Sequence, residues 1–201
     1  PVKTNLLYDP QSKFQQGTFK VTHFGTISPP LPAFGSTGYV AIKRAFVRDR
    51  AMASPHPMFY DAAKQAELLS VEVNCAQWAA GLMQLCYAFI QREDVIRGPP
   101  PFTIPQLQFV CVGLAVEDAS DINDQNPSRR RQVFLLEQYI DSTAEGRWRK
   151  YINNDTPTPL AMIDEDDQHR ADFLAFCQHI QFLKTKRLLF VSDFQGKYYI
   201  L

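Results

Sequence analysis

A long helical pattern, from Asp61 to about Gln91, is the feature that most constrains the fold of this chain. Apolar residues recur there at spacings of three and four, which places them on one face of an α-helix. They are Ala66, Leu69, Val73, Ala76, Ala80, Met83 and Tyr87. Prolines bound the pattern, in MASPHP before it and at residues 99–101 after it. The sequence therefore predicts one long helix with a packed face.

Strand-like segments precede and follow this helix. FKVTHFGTI and GYVAIKRAFV are joined by a loop rich in proline and glycine, which predicts a hairpin with a long tip. QLQFVCVGLAV predicts a buried strand, and QVFLLEQYI predicts another strand. The polar residues 117–131 between them predict a loop. IDEDDQHRADFLAFCQHIQFL predicts a second helix with acidic residues in its first turn, and RLLFVSDFQG a final buried strand. This order indicates an α+β protein divided into two lobes.

The size and charge of the chain limit what it can be. Its 201 residues, 45% of them hydrophobic, suit one globular domain or two small lobes that share a cleft. Lys plus Arg equals Asp plus Glu at 21 each, so no overall field favours nucleic acid or an anionic membrane. No apolar run approaches the roughly 18 residues of a membrane-spanning helix, and PVKTNLLYDP does not resemble a signal peptide. We expect neither a nucleic-acid nor a membrane partner.

The four cysteines indicate a reducing compartment. Cys75, Cys86, Cys111 and Cys177 lie far apart among apolar neighbours and form no CxxC pair. Such residues are typical of buried free thiols rather than of a disulfide framework. We therefore expect the protein in the cytoplasm, with the nucleus as the alternative.

Lys43 is the first candidate site residue, at the end of the strand motif VAIK. In conventional protein kinases such a lysine contacts the nucleotide phosphates, whereas an isolated match is more often an edge strand facing solvent. The other conventional kinase motifs are missing, since HRAD is not HRD, DFQG is not DFG and no APE follows. The sequence excludes a conventional kinase.

Glu137 is the second candidate, because it is a single charge in the apolar strand VFLLEQYI. A buried carboxylate without a partner costs several kcal/mol, so it must reach solvent, a cation, backbone N–H groups or a ligand. An outward-facing strand position is the ordinary alternative to a functional role.

Asp193 and Gln195 form the third candidate. Two residues apart on a strand, they would point to the same side and present two oxygens suited to Mg²⁺. The ordinary alternative is a turn at the end of the strand, which Gly196 would allow. His179 follows LAFCQ on the apolar side of the second predicted helix, where a hydrogen-bonded core histidine is more usual than a metal ligand.

The order of these motifs resembles the α-kinase family of atypical serine/threonine kinases. The blocks are GTFKV, YVAIK, LLEQYI, RKYINN, LAFCQH and LLFVSDFQG, which together span most of the chain. The last two blocks are the most distinctive, and a divergent branch such as those in fungi fits best. The resemblance implies an α+β, two-lobed kinase-like fold, with residues 1–110 as the N-lobe and 111–201 as a partial C-lobe.

The resemblance also implies roles for residues of the first half. Lys43 matches the lysine that contacts nucleotide phosphate, and Gly17 matches the glycine of the loop that covers the nucleotide. Glu137 corresponds to the acidic hinge residue next to the adenine. ATP is thus the implied cosubstrate.

In the second half, Asp193 matches the catalytic aspartate and Gln195 the glutamine that binds Mg²⁺. Lys150, Asn153 and Asn154 correspond to the stretch near the phosphates. His179 falls on the first zinc-ligand histidine of the family.

Several positions depart from the family pattern. Asn74 stands at the usual acidic position of the long helix, with Glu72 as a substitute, and Lys20 replaces an arginine after the glycine loop. Family members continue beyond DFQG with a second aspartate and the remaining zinc ligands, whereas this sequence ends at Leu201. We expect either a piece of a longer chain, with zinc bound only by the longer form, or loss of the zinc module.

These observations support an ATP- and Mg²⁺-dependent serine/threonine protein kinase that acts on a protein the sequence does not identify. The alternative is an inactive nucleotide-binding pseudokinase or scaffold, suggested by the ending, Asn74 and the altered RKYINN stretch.

Overall fold

The computed structural model describes residues 1–47, 57–118, 131–140, 147–197 and 199–201. Most of the predicted loop at 117–131 and of MASPHP lies outside these residues. The strands are β1 (Asn5–Leu7), β2 (Gln15–Gln16), β3 (Lys20–Ser28), β4 (Tyr39–Ala45), β5 (Val112–Val116), β6 (Val133–Gln138), β7 (Arg149–Lys150) and β8 (Gln195–Gly196). The helices are α1 (Ala62–Arg97) and α2 (Glu165–Lys184), with a 3-10 turn at Pro32–Phe34. The predicted α+β class, antiparallel sheet and long helix are confirmed.

The chain forms two compact units. The first contains residues 1–76 and 111–139, and the second contains residues 77–110 and 140–201. The long helix α1 contributes its beginning to the first unit and its remainder to the second. The division into lobes at residue 110 stays a prediction.

The first unit is built on an antiparallel sheet with strand order β1-β3-β4-β6-β5, and β2 also pairs with β3. The predicted hairpin is confirmed, since β3 and β4 are antiparallel neighbours with Thr22 opposite Lys43. One face of the sheet packs into a hydrophobic core with the 3-10 turn. This core contains Ile27, Phe34, Val40, Ile42, Phe134 and Leu136.

A buried glutamine connects α1 to the end of β4. The Gln65 side chain donates a hydrogen bond from Nε2 to the carbonyl oxygen of Ala45 (2.6 Å) and accepts one at Oε1 from the Ala45 N–H (3.0 Å). Its amide thus satisfies both backbone groups of a strand residue, as a neighbouring strand would. The start of α1 is held as well, because Asp61 Oδ1 accepts a hydrogen bond from the Lys64 N–H.

In the second unit, the remainder of α1 and the helix α2 share one core. Its buried members include Met83, Cys86, Leu107, Tyr151, Ile152, Leu174, Cys177 and Phe194. The helix α1 continues six residues beyond the predicted Gln91 because no breaker occurs before Gly98, which has a φ of 85°. α2 begins at its predicted position, where Asp164 accepts a hydrogen bond from the Asp167 N–H (3.0 Å).

The predicted final strand is wrong over most of its length. Residues 187–194 form no strand, β8 is limited to Gln195–Gly196, and Leu188 is 81% exposed. The physical reason is that side chains of α2 satisfy this backbone instead of a neighbouring strand. Gln178 Nε2 donates to the Val191 carbonyl oxygen, and Gln181 Oε1 accepts from the Val191 N–H, both at 2.8 Å.

The expectation of four buried cysteines is also partly wrong. All four are free thiols, but Cys75 is exposed and Cys111 is half-buried, while Cys86 and Cys177 are buried. Cys75 lies on the exposed side of α1, which its apolar neighbours in sequence did not reveal. Within the described residues, no helix is both long and apolar enough to cross a membrane.

Tyr87 joins α1 to the segment that follows it. Its hydroxyl accepts a hydrogen bond from the Leu107 N–H (2.6 Å) and donates to the Pro105 carbonyl oxygen (2.9 Å). Desolvation raises the pKa of Tyr87 to about 12. The folded state therefore favours the protonated form of the Tyr87 hydroxyl over the ionised form.

We expect Gln65→Ala to lower the free energy of unfolding by about 2 kcal/mol, because the Ala45 N–H and carbonyl lose buried partners. The matched control is Gln77→Ala, which truncates an exposed glutamine of the same helix and should change stability by under about 0.5 kcal/mol. Urea unfolding followed by circular dichroism measures both variants. Equal effects of the two substitutions would contradict the role assigned to Gln65.

We expect the stability difference between wild type and Tyr87→Phe to depend on pH. In the unfolded chain the hydroxyl ionises near its ordinary pKa of about 10, whereas the folded state keeps the proton until about 12. The stabilisation by Tyr87 is therefore complete below pH 10 and is lost as the pH rises from 10 towards 12. Urea unfolding of both proteins at pH 8, 10 and 11 measures this, and a difference that stays constant would contradict it.

Candidate active site

In the first unit, Lys43 and Glu137 form an ion pair across neighbouring strands. In the β4–β6 register Ala41 lies opposite Glu137 and Lys43 lies opposite Leu135, so the two charges are diagonal neighbours on one face. Their side chains are 24% and 20% exposed. Glu137 thus reaches a cation, one of the outcomes that its sequence context allowed.

The position of Lys43 differs from that of an edge lysine. β4 lies between β3 and β6, so it is an interior strand of the sheet. The opposite face of β4 carries the core residues Val40 and Ile42. Lys43 therefore projects from a rigid strand rather than from a free edge, as a phosphate-binding residue requires.

Gly17 lies in the tight turn between β2 and β3. Its N–H donates a hydrogen bond to the Lys20 carbonyl oxygen (2.8 Å), and Gly17 itself is exposed. The turn therefore connects β2 directly to the start of β3. A short turn of this kind is suited to approach a ligand with its backbone.

The two unusual residues Lys20 and Glu72 form an ion pair with each other. Lys20 begins β3 and Glu72 lies on the first part of α1, so the pair joins the sheet to the helix. Asn74 is exposed. Glu72, rather than Asn74, therefore supplies the carboxylate that α1 presents to this end of the sheet.

Aromatic rings lie beside the Lys43–Glu137 face. Phe24 is opposite Ala41 in the β3–β4 register, and Phe24 and Tyr139 are T-shaped with ring centroids 5.6 Å apart. Tyr39 and Tyr139 are 6.1 Å apart. Exposed aromatic side chains provide a surface for a planar ring. This group was missed from the sequence, although the alternation of Phe24 with buried residues on β3 could have identified it.

In the second unit, Lys150 and Asp193 form an ion pair, and Lys150 is opposite Gln195 in the β7–β8 register. Lys150 therefore brings the predicted carboxylate and amide residues together. Asp193 keeps 47% of its side chain exposed, and Gln195 is exposed. Exposed carboxylate and amide oxygens are suitable ligands for Mg²⁺.

The argument from strand alternation does not apply to Asp193. Its φ is 62°, so it adopts a left-handed conformation immediately before the two residues of β8. In this segment Asp193, and not Gly196, is the residue with a left-handed φ. Non-glycine residues in this conformation concentrate at functional sites, and aspartate tolerates it better than most residues.

Ser192 is a site residue that the sequence reasoning missed. Its hydroxyl donates a hydrogen bond to the Asn153 carbonyl oxygen (2.9 Å), and the Tyr151 N–H donates to the Phe194 carbonyl oxygen (2.9 Å). These bonds hold the segment of Lys150 and Asn153 against that of Asp193. Asn154, which follows, is exposed. No sequence signal links Ser192 to a carbonyl 39 residues away.

His179 does not occupy the apolar side of α2, as the sequence predicted, but is exposed. The residues on either side of it, Gln178 and Ile180, are buried. In the described part of the chain, no group of three or more His, Cys, Asp or Glu side chains could hold a metal ion. The zinc role of His179 stays a prediction.

The comparisons with known proteins identify the family. A family model described as the Alpha-kinase family matches residues 58–201, well over half of the chain. The matched region begins after Gly17 and Lys43. No curated protein matches the chain. Among solved structures, the inactive alpha-kinase domain of myosin heavy chain kinase A in complex with ATP is similar, with 11% identity and a TM-score of 0.48. That match covers 98% of this chain and 73% of the other.

We expect Asp193→Gly to be more stable than Asp193→Ala by roughly 1 kcal/mol, because alanine is strained at a φ of 62° and glycine is not. Both substitutions remove the ion pair with Lys150, so each serves as the control of the other. Thermal unfolding measures the difference. Equal stability of the two variants would contradict the left-handed conformation of Asp193.

Proposed function

The chain belongs to the alpha-kinase family of ATP-dependent protein kinases, and we propose that it transfers the γ-phosphate of ATP to serine or threonine hydroxyls of a protein with Mg²⁺ as cofactor. The main support for the proposed residue roles is that Asp193, Lys150 and Gln195 lie together at β7–β8. Phosphoryl transfer requires mainly positioning and neutralisation of charge, which a carboxylate, a cation and an amide can supply together.

Lys43 is the proposed phosphate ligand of the first unit. Its ammonium group is half-buried on an interior strand and is directed by Glu137. An ATP phosphate would offer it several anionic oxygens in place of one carboxylate. Glu137, Phe24 and Tyr139 lie on the same part of the sheet, which supports an adenine position beside them.

Asp193 and Gln195 are the proposed Mg²⁺ ligands of the second unit. Both offer oxygen atoms, and the remaining exposure of Asp193 leaves room for water and phosphate oxygens in the coordination shell. When bound, Mg²⁺ neutralises charge on the phosphates. The ion pair with Lys150 holds the Asp193 side chain in place, and the Ser192–Asn153 hydrogen bond fixes the backbone beside it. Asn153 and Asn154 contribute amide groups near the phosphates in this proposal.

The family assignment favours an active kinase over the inactive alternative. The carboxylate expected on the long helix is provided by Glu72, which pairs with Lys20. The altered RKYINN stretch still places Lys150 against Asp193. The free thiols support the proposed cytoplasmic location. The balanced charge favours neither nucleic acid nor a membrane as a partner, which is consistent with the proposed protein substrate.

We expect Asp193→Asn to reduce phosphate transfer at least about 100-fold, because a charge that stabilises the reacting phosphates is removed. Asparagine also tolerates the left-handed conformation, so the fold should survive. The measurement is transfer of radiolabelled γ-phosphate from Mg·ATP to casein, and the control is Asp166→Asn in the exposed first turn of α2.

Full activity of Asp193→Asn would reject the role of Asp193. Binding of ATP without transfer by the wild-type chain would support the pseudokinase instead. Omission of Mg²⁺ tests the cofactor, since transfer that persists in a chelator would contradict its use.

A further inference from the structure

A cavity of about 710 Å³ lies within the second unit, between the last turns of α1, the segment that follows it and one face of α2. Its α2 residues are His169, Asp172, Phe173 and Phe176, which have the spacing of a single helix face. They share the cavity with Phe89 and Ile90 of α1. None of the residues assigned to phosphoryl transfer lines it.

The interior of the cavity is aromatic and held by specific contacts. Phe173 and Phe176 stack with centroids 6.2 Å apart, and Phe89 is 6.5 Å from Phe176. His169 Nε2 lies 2.7 Å from the Thr103 carbonyl oxygen, which fixes the ring beside the segment after α1. An apolar cavity of this volume with a few polar groups at its margin is typical of a binding site.

Charged groups of both signs surround this apolar interior, and Arg92 and Lys184 lie over the ring of Phe89, 5.5 and 4.8 Å from its centroid. Three carboxylates and one guanidinium line the cavity: Glu93, Asp94, Asp172 and Arg97. Glu93 already accepts hydrogen bonds from Arg92 (2.8 Å) and Arg97 (3.1 Å). Within the described residues, no cation pairs with Asp94 or Asp172, and Asp172 accepts a hydrogen bond from the neutral Gln168 (3.0 Å). The cavity therefore has two carboxylates that favour a positive charge.

We propose that this cavity binds a peptide segment of a protein partner that presents an aromatic or large aliphatic side chain next to an arginine or lysine. The apolar side chain enters between Phe89, Phe173 and Phe176, and the cation contacts Asp94 and Asp172. This docking is separate from phosphoryl transfer, so it is tested without measuring kinase activity.

The exposure of the margin favours a peptide over a small molecule. Phe102 lines the cavity and is 55% exposed, and Phe176 is 39% exposed. A small ligand enclosed by the cavity would leave these rings in contact with water, whereas a longer segment covers them. Exposed aromatic residues at the edge of an apolar pocket are common anchors in protein interfaces.

A peptide array tests the proposal with the full chain. Seven-residue peptides carry a central Phe or Leu, and each of the remaining positions is varied through all amino acids. We expect selection of Arg or Lys beside the apolar residue. The best peptide, labelled with fluorescein, is then measured by anisotropy and should bind about 10-fold more weakly to the Asp94→Asn, Asp172→Asn double variant.

Asp172→Lys provides an outcome that loss of folding cannot imitate. Asp172 is exposed, and a lysine there, combined with Asp94→Asn, should change the selected neighbour from a basic to an acidic residue. Asp166→Asn, on the same helix but outside the cavity, should leave the selection unchanged.

Three results would overturn the proposal: an array without selection of basic residues, selection that is equal in the double variant, or unchanged selection by Asp172→Lys combined with Asp94→Asn. Indole added as an uncharged competitor should displace the peptide. Indole that binds equally to wild type and double variant, with no peptide selected, would identify a small-molecule cavity instead.

Discussion

Buried glutamine amides hold the segments that carry the charged candidate residues of each unit. In the first unit, Gln65 satisfies both backbone groups of Ala45, two residues after Lys43 on β4. In the second unit, Gln178 and Gln181 do the same for Val191, two residues before Asp193. An amide can replace a neighbouring strand because it has a donor and an acceptor in a fixed arrangement. Each helix thereby fixes the backbone position of one charged side chain.

The need to satisfy backbone hydrogen bonds also explains which elements could be predicted from the sequence. The helices α1 and α2 and the β3–β4 hairpin follow from local periodicity and turn residues, and their hydrogen bonds are made within the element or with an adjacent strand. Asp164 at the start of α2 and Gly98 at the end of α1 are local signals of the same kind. Lys43 and Glu137 could also be identified as candidates because each charge interrupts an apolar strand.

The segment before Asp193 could not be predicted in this way. LLFV has the composition of a buried strand, but composition does not specify which group will satisfy its backbone, and here α2 provides that group. The left-handed Asp193 and the Ser192–Asn153 bond lie directly after Val191 in the same segment. The pairing of Lys20 with Glu72 likewise joins residues that are distant in sequence. Such contacts are set by tertiary structure and leave no periodic signal.

The charged candidate residues of each unit are paired but remain partly exposed. Exposed ion pairs contribute only about 0–1 kcal/mol, because water already solvates both partners well. The Lys150–Asp193 pair, with side chains 35% and 47% exposed, belongs to this class, so exchange of Lys150 for a metal ion costs little stability. The Lys43–Glu137 pair is less exposed, and removal of one partner there would leave a poorly solvated charge. In the proposed function, a phosphate at Lys43 replaces the interaction with Glu137 by one of comparable strength, which several anionic oxygens can do and a single neutral group cannot. A nucleotide triphosphate, the ligand proposed for this lysine, carries the charge that such a replacement requires.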